Sequence, residues 1–189
     1  ASLCEPHVLR SPDGKQLLCI MRENYRNFNS IIVTSNDEGK TWSDPIRVNQ
    51  DPTGQGKEHY FPWITCDPAN GILSVIFYDD RNVSSNQCEV FCANSYDGGE
   101  TWEDFKVSDV AFTPAPIAGL AGGYFGDYLG ISAYGGKVYP VWTDNRSGSA
   151  MTYTSPYETN PLAYPENLFG EITFESGQVD LSWEYEEDG

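Results

Sequence analysis

The stretch SNDEGKTW at residues 35–42 recurs as SYDGGETW at residues 95–102, so Ser-x-Asp-x-Gly-x-Thr-Trp is written twice in one frame, 60 positions apart. A fixed period of this size marks a repeat architecture, in which one supersecondary unit stacks on copies of itself. The residue types give the motif a physical task. Asp37 and Asp97 can accept hydrogen bonds from amides of their own turn, Gly39 and Gly99 permit positive φ, and Trp42 and Trp102 are expected to bury their rings beneath the turn. Ser35 and Ser95 open the motif, and Thr41 and Thr101 precede its tryptophan.

The segments between turns are short, β-branched and aromatic, as in SIIVTS, GILSVIFY, QCEVFCA and KVYPVW, and turn signals such as Pro12-Asp13-Gly14 and Gly135-Gly136 separate them. No stretch keeps a helical period. GILSVIFY is apolar at nearly every position, which suits a strand covered on both faces. The strands fall into a repeating order. EPHVLR, KQLLCIMR, SIIVTS, the motif and IRVN form one unit; YFPWITC, GILSVIFYDD, QCEVFCANS, the motif and FKVSDV form a second. A third runs DYLGISAY, KVYPVWTD and AMTYTS without the motif. The fold class is therefore all-β: a β-propeller of four-stranded antiparallel blades, of which about three are present in residues 1–157.

Charge narrows the partners. With 11 Lys+Arg against 28 Asp+Glu the net charge is −17, a field that repels phosphate backbones and anionic lipid and argues against nucleic-acid binding. No run approaches the roughly 18 apolar residues a membrane-spanning helix needs. Five cysteines (Cys4, Cys19, Cys66, Cys88, Cys92) leave at least one unpaired within the chain, and buried free thiols are expected. Neither a zinc spacing nor the Asp-x-Asp-x-Asp-Gly pattern of a calcium loop is present, so no metal or other cofactor is expected.

The eight-residue motif resembles the Asp-box, or BNR repeat, of sialidases and related six-bladed propellers. That resemblance makes the box a structural hairpin far from the catalytic face. A six-bladed ring further implies that the missing blades come from the same longer polypeptide or from another chain, since open sheet edges invite aggregation. Residues 158–189 change character. PENLFGEITFESGQVDLSWEYEED reads either as a last propeller strand plus a tail or as the start of a module resembling fibronectin type III.

Antiparallel connectivity puts the boxes and the turns between first and second strands on one face, and the ends of second strands on the other. Arg22, Arg81 and Arg146 each close a second strand, in MREN, YDDRN and TDNRSG, and should share the face opposite the boxes with Glu5, His59, Tyr60, Asp127 and Tyr128. Guanidinium groups bind a carboxylate through a two-point fork. Sialidases are similar in carrying three arginines on the substrate carboxylate, a tyrosine nucleophile activated by Glu, and an Asp acid/base. By resemblance of CEPHVLRSPDGKQLLCIMRE to the family, Glu5 would be the activator and Arg22 a carboxylate clamp, with Arg81, Arg146, Tyr60, Asp127 and Tyr128 as substrate-binding candidates. The nucleophile stays unassigned among Tyr60, Tyr124, Tyr128 and Tyr139, and the family's Arg-Ile-Pro element is absent. Arg81 and Arg146 also stand beside aspartates and can instead lock loops by pairing with Asp79, Asp80 or Asp144, and lone His59 reads as a surface or packing residue.

Two functions are consistent with this reading. One is a secreted sialidase-like protein that hydrolyses or recognises acidic sugars on a glycan or glycoprotein. The other is a non-catalytic BNR propeller serving as a structural or adhesive module of a larger extracellular protein.

Overall fold

The computed structural model describes residues 6–23, 28–84, 86–117, 119, 123, 125, 129–159, 169–173 and 178–182. Glu5, Tyr124, Asp127 and Tyr128 lie outside the described residues. The chain divides into two compact units, Ala1–Thr159 and Asn160–Gly189.

Every regular element among the described residues is a strand. The first sheet runs β1 (His7–Arg10), β2 (Leu17–Arg22), β3 (Ser30–Ser35) and β4 (Ile46–Arg47) in spatial order β1-β2-β3-β4. The second repeats it with β5 (His59–Cys66), β6 (Leu73–Asp79), β7 (Glu89–Ser95) and β8 (Glu103–Lys106). All neighbours are antiparallel. The third sheet holds β9 (Gly130–Tyr134), β10 (Lys137–Asp144), β11 (Met151–Thr154) and β12 (Tyr157–Glu158). Here β11 and β12 pair with the same edge of β10 in one register, Val141↔Thr154 and Val138↔Tyr157, so they are one third strand broken at Ser155-Pro156. Pro156 has no N–H to give the ladder, which accounts for the break. The third blade is therefore three strands wide among the described residues.

The first strands β1, β5 and β9 pack against one another from sheet to sheet, as the inner strands of a propeller do. Two apolar layers fill the spaces between sheets. Leu18, Ile20, Ile32, Leu73, Val75, Phe77 and Trp102 lie between the first and second sheets. Ile76, Tyr78, Val90, Cys92, Ile131, Val138 and Trp142 lie between the second and third. The middle sheet is sandwiched, and every residue of β6 and β7 is buried. That explains the unbroken apolar run GILSVIFY. Each fully buried side chain of this kind contributes about 1.5–3 kcal/mol. Cys66, Cys88 and Cys92 are free thiols, and Cys19, Cys88 and Cys92 are buried. Burial pushes the Cys88 thiol up to about 12, with Asp144 and other carboxylates adding to the effect.

Both boxes close in the same way. Ser35 Oγ donates to Asp37 (2.8 Å) and accepts from the Gly39 amide (2.8 Å), while Asp37 accepts from the Thr41 amide (2.8 Å) and hydroxyl (2.6 Å). Ser95, Asp97, Gly99 and Thr101 repeat every one of these bonds. The two boxes differ at the fourth position. Residues 4 and 5 of the motif both sit at positive φ, Glu38 (63°) and Gly39 (83°) in one box and Gly98 (76°) and Gly99 (99°) in the other. A side chain at such a φ costs about 1–2 kcal/mol, which glycine avoids. Glu38→Gly should therefore stabilise the fold by up to about 1 kcal/mol, part of the relief being lost to the greater freedom of glycine in the unfolded chain. Urea unfolding checks this, and a loss of stability would refute it.

The boxes also correct one expectation. Trp102 is buried at 6% exposure and donates from Nε1 to the Gly99 carbonyl (3.1 Å), but Trp42 is 42% exposed. Trp102 lies in the layer shared with the first sheet, whereas no described sheet covers Trp42. The turn positions the ring; the neighbouring blade buries it.

In the second unit, β13 (Phe169–Thr173) and β14 (Gln178–Ser182) form an antiparallel hairpin, Phe169 opposite Ser182 and Thr173 opposite Gln178.

Candidate functional site

Strand register fixes which end of each sheet carries what. Leu17 pairs with Ser35 and Leu73 with Ser95, so the boxes stand at the starts of β2 and β6. Arg22 pairs with Ser30 at the far end of β2, and Arg81 and Arg146 follow the ends of β6 and β10. All three arginines lie at the end opposite the boxes. They are not equivalent, however. With the boxes superposed by register, Arg22 falls at the position of Tyr78, and only Arg81 and Arg146 share a place, each two residues beyond a strand-ending aspartate. The likeness of MREN to YDDRN is thus offset by three positions along the strand.

Arg81 and Arg146 are held by the protein's own carboxylates. Arg81 donates to Asp79 (2.7 Å) and Asp104 (2.5 Å), with Asp51 at 3.7 Å, and lies 4.2 Å over the Phe91 ring. Arg146 donates to Asp144 (2.8 Å) and pairs with Asp109, and it lies 4.2 Å over Tyr153. The pattern repeats across blades: a carboxylate from the loop after one blade's fourth strand, Asp51 or Asp109, meets the arginine of the next blade. Each such arginine joins two blades and stacks on its own third strand, a cation–π contact that the local burial strengthens.

Beneath Arg81 lies His59, 1% exposed and enclosed rather than on the surface. Its Nε2 stands 3.1 Å from Asp51 and 3.3 Å from Asp79, and Nδ1 is 3.1 Å from the Phe28 carbonyl. With acceptors at both nitrogens, the ring is set up as a doubly protonated cation. Burial opposes the charge, but the hydrogen bonds and charges of Asp51 and Asp79 outweigh it and push the imidazole up to about 9. Asp51 is correspondingly held well below the usual carboxylate range: burial works against the charge, and His59, Asn49 and Arg81 overcome it. The sign for stability follows. A folded value of about 9 against 6.5 unfolded means that His59 contributes fully below pH 6.5 and that this contribution, about 3 kcal/mol, is lost as pH rises through 9. Unfolding free energy should therefore fall between pH 6.5 and 9 in the wild type but not in His59→Leu; parallel profiles for the two would refute the assignment.

Arg22 occupies a different setting. Its guanidinium lies between two rings, 4.6 Å from the centre of Phe28 and 5.0 Å from that of Tyr60, and its Nη2 donates to Glu58 (2.8 Å). Glu58 and Tyr60 alternate with buried His59 along the chain, so they face away from it and toward Arg22. Burial raises the Tyr60 phenol, and the charges of Glu58 and Asp80 raise it further. The backbone here is strained. Phe28 (φ 49°) and Phe61 (φ 51°) both adopt the left-handed region, and Phe61-Pro62 oppose Phe77 alone in a β-bulge between Tyr60 and Trp63. Bulges and non-glycine residues at positive φ gather at binding and catalytic sites, where they re-aim side chains. Phe28 is fixed by the His59 amide, which donates to its carbonyl (3.1 Å). A recess of about 190 Å³, lined by Phe28, Asn29, Asp51 and residues 52–57, opens beside this cluster.

The structure thus brings Arg22 and Tyr60 together, keeps Arg81 and Arg146 in ion pairs, and adds Glu58, which the sequence reading passed over. The signal for Glu58 was its place two residues before Tyr60, on the same side of an alternating strand. Tyr139 faces outward from β10, nearer the Lys137 end, and is remote from this cluster. Among the described residues no cluster of three or more His, Cys, Asp or Glu side chains is placed to hold a metal ion. No helix of the described residues is long and apolar enough to cross a membrane.

No family model matches the chain, and no curated protein matches it. Among solved structures the chain is similar to an alpha-L-arabinanase from Penicillium chrysogenum complexed with arabinobiose, with 20% identity and a TM-score of 0.58 over 85% of this chain and 51% of that one. It is also similar to the NanB sialidase from Streptococcus pneumoniae, with 16% identity and a TM-score of 0.46 over 94% of this chain and 22% of that one. The first likeness shows the shared fold, a β-propeller, and this chain spans about half the length of the arabinanase.

Proposed function

We propose that the chain carries the sugar-binding rim of a secreted, sialidase-like glycan-active propeller, which hydrolyses or recognises acidic, sialic-acid-type sugars. The observation that carries this reading is the Arg22–Glu58–Tyr60 cluster, set between two strained phenylalanines at the end opposite the boxes. In this reading the Arg22 fork exchanges part of its bond to Glu58 for the sugar carboxylate. Glu58, released toward Tyr60, takes the phenolic proton as the oxygen attacks the anomeric carbon; the glycosidic C–O bond breaks and the aglycone oxygen leaves with a proton from solvent. Water, giving its proton to solvent, then hydrolyses the Tyr60–sugar bond, and Glu58 returns the proton to the phenol. The Tyr60 phenol, raised by burial and by Glu58 and Asp80, rests neutral, and in this reading the carboxylate supplies the activation at the moment of reaction.

Titration with free sialic acid, followed by amide chemical shifts, tests binding; a fluorogenic sialoside tests turnover. Arg22→Ala should weaken binding at least about tenfold, the loss of one charge-assisted pair, and abolish any turnover. Turnover untouched by Arg22→Ala would remove Arg22 from the site. The commitment of Arg81 and Arg146 to internal carboxylates favours a second reading, a non-catalytic structural or adhesive propeller. Absence of both binding and turnover would select it.

A further inference from the structure

Two walls of the recess beside Arg22 depend on one buried side chain. Phe28 and Asp51 both line it. His59 reaches both: Nδ1 stands 3.1 Å from the Phe28 carbonyl, and Nε2 stands 3.1 Å from Asp51 and 3.3 Å from Asp79. The Phe28 carbonyl is the point of leverage. It accepts from the His59 amide and also faces the His59 ring, so one residue engages it twice. Phe28 needs such a hold. Its φ of 49° lies in the left-handed region, which a phenylalanine keeps only when its surroundings enforce it. The Phe28 ring in turn forms one side of the aromatic clamp on the Arg22 guanidinium, which lies 4.6 Å from its centre.

Asn29, next in the chain, is anchored without His59. Its carbonyl accepts from the Glu23 amide (2.7 Å), and its side chain donates to Glu23 (2.9 Å). Asn49 then bridges the Asn29 side-chain oxygen (3.0 Å) to Asp51 (2.6 Å). This polar frame persists whatever the charge on the imidazole. What the charge controls is Phe28. A ring with one proton must leave one nitrogen bare. Nε2 faces two carboxylates and Nδ1 a neutral carbonyl, so the remaining proton stays on Nε2. Nδ1 then turns a lone pair on the Phe28 oxygen, and the His59 amide holds the strained residue alone.

We propose that His59 is the positioning residue of the Arg22–Glu58–Tyr60 cluster: doubly protonated, it pins Phe28 against the Arg22 guanidinium, and loss of the Nδ1 proton loosens that side of the clamp. Its use in holding a sugar carboxylate rests on the function proposed above; the coupling of His59 to Phe28 does not. The charges around the ring come from several elements. Asp51 belongs to the loop after β4 and Asp79 to β6. Behind them Arg81 faces Asp79, Asp51 and Asp104 of β8, and Arg47 of β4 lies 3.9 Å from Asp51. Burial opposes the cation, but the hydrogen bonds and charges of Asp51 and Asp79 bring its titration to about 9. Tyr60, raised by burial and by Glu58 and Asp80, stays neutral through this range. The clamp is thus closed at neutral pH and loosens in alkaline medium.

Nitrogen NMR of the ligand-free chain from about pH 6 to about pH 10 spans the free and the shifted imidazole and reads this coupling. Both ring nitrogens of His59 should carry protons at neutral pH, and Nε2 alone at the alkaline end. The signals of Phe28, Asn29 and the Arg22 side chain should move with the midpoint of the ring. Exchange protection of the His59 amide should fall at least about tenfold, the loss of one bond from a charged donor. Asp51→Asn removes one charge from the ring while its amide oxygen can still accept from Asn49. It should lower both midpoints together by at least about one pH unit. A ring uncharged at neutral pH, a lone proton kept on Nδ1, or Phe28 signals that ignore the titration of His59 in either chain overturns the proposal. Free sialic acid titrated over the same range tells this apart from the function. Affinity that falls with the His59 midpoint supports the positioning role, and binding indifferent to pH overturns it. Binding absent at every pH sinks the sugar reading, while the ligand-free spectra still decide the coupling.

Discussion

Arg81→Ala is expected to cost about 3–5 kcal/mol of folding free energy, the penalty for leaving buried charge without its partner. Arg81 is the common cation of Asp79, Asp104 and Asp51, and Asp79 has no solvent exposure. Its removal leaves three carboxylates near one another with His59 and, at 3.9 Å from Asp51, Arg47 as counter-charges. Arg81→Lys should recover only part of the loss, because an ammonium cannot fork between Asp79 and Asp104 while lying flat on Phe91. Urea unfolding followed by tryptophan fluorescence measures both variants. Since a domain of this kind has about 5–15 kcal/mol in all, Arg81→Ala should be close to unfolding at physiological temperature. A loss under about 1 kcal/mol would mean that the pair behaves as a surface contact.

Trp102→Ala should cost about 3–5 kcal/mol, the range for emptying a large aromatic from a packed layer. The same substitution at Trp42, in dilute monomeric chain, should cost under about 0.5 kcal/mol, as exposed positions do. The two residues occupy one position of one motif, and their turns make the same hydrogen bonds. The comparison therefore isolates what the neighbouring sheet adds to an otherwise constant local structure. Equal costs at both sites would assign the stabilisation to the turn itself.

What could be seen in the sequence divides along the range of the interactions. The box was legible because its bonds are local: Ser35 to Asp37 and Asp37 to Thr41 span two and four positions. The strands were legible from alternation and from β6, whose two covered faces leave no polar position to exploit. Placing the arginines at the end opposite the boxes needed only antiparallel pairing. Their partners are another matter. Asp51 and Asp109 from loops and Asp104 from β8 reach Arg81 and Arg146, and no local pattern ties them to these arginines. His59 looked solitary because its two carboxylates lie 8 and 20 residues away, Asp79 meeting it through strand pairing and Asp51 only when sheets stack. Arg22 was aligned with the other arginines by residue type, and register separated them. The exposure of Trp42 depends on a neighbour rather than on the residue, so no reading of its own motif could have found it.

The bond that ties Asp51 to Arg81 and Asp109 to Arg146 has a bearing on how such a chain can grow. Each link runs from the exit of one unit to the core of its successor, and no link closes within a unit's own exit and entrance. A tandem duplication of the second unit alone would set its Asp109 before a second copy of Arg81, the same acidic exit and the same basic acceptor. Lengthening by a whole period would thus leave these cross-links matched, whereas an insertion of part of a period would strand a charge.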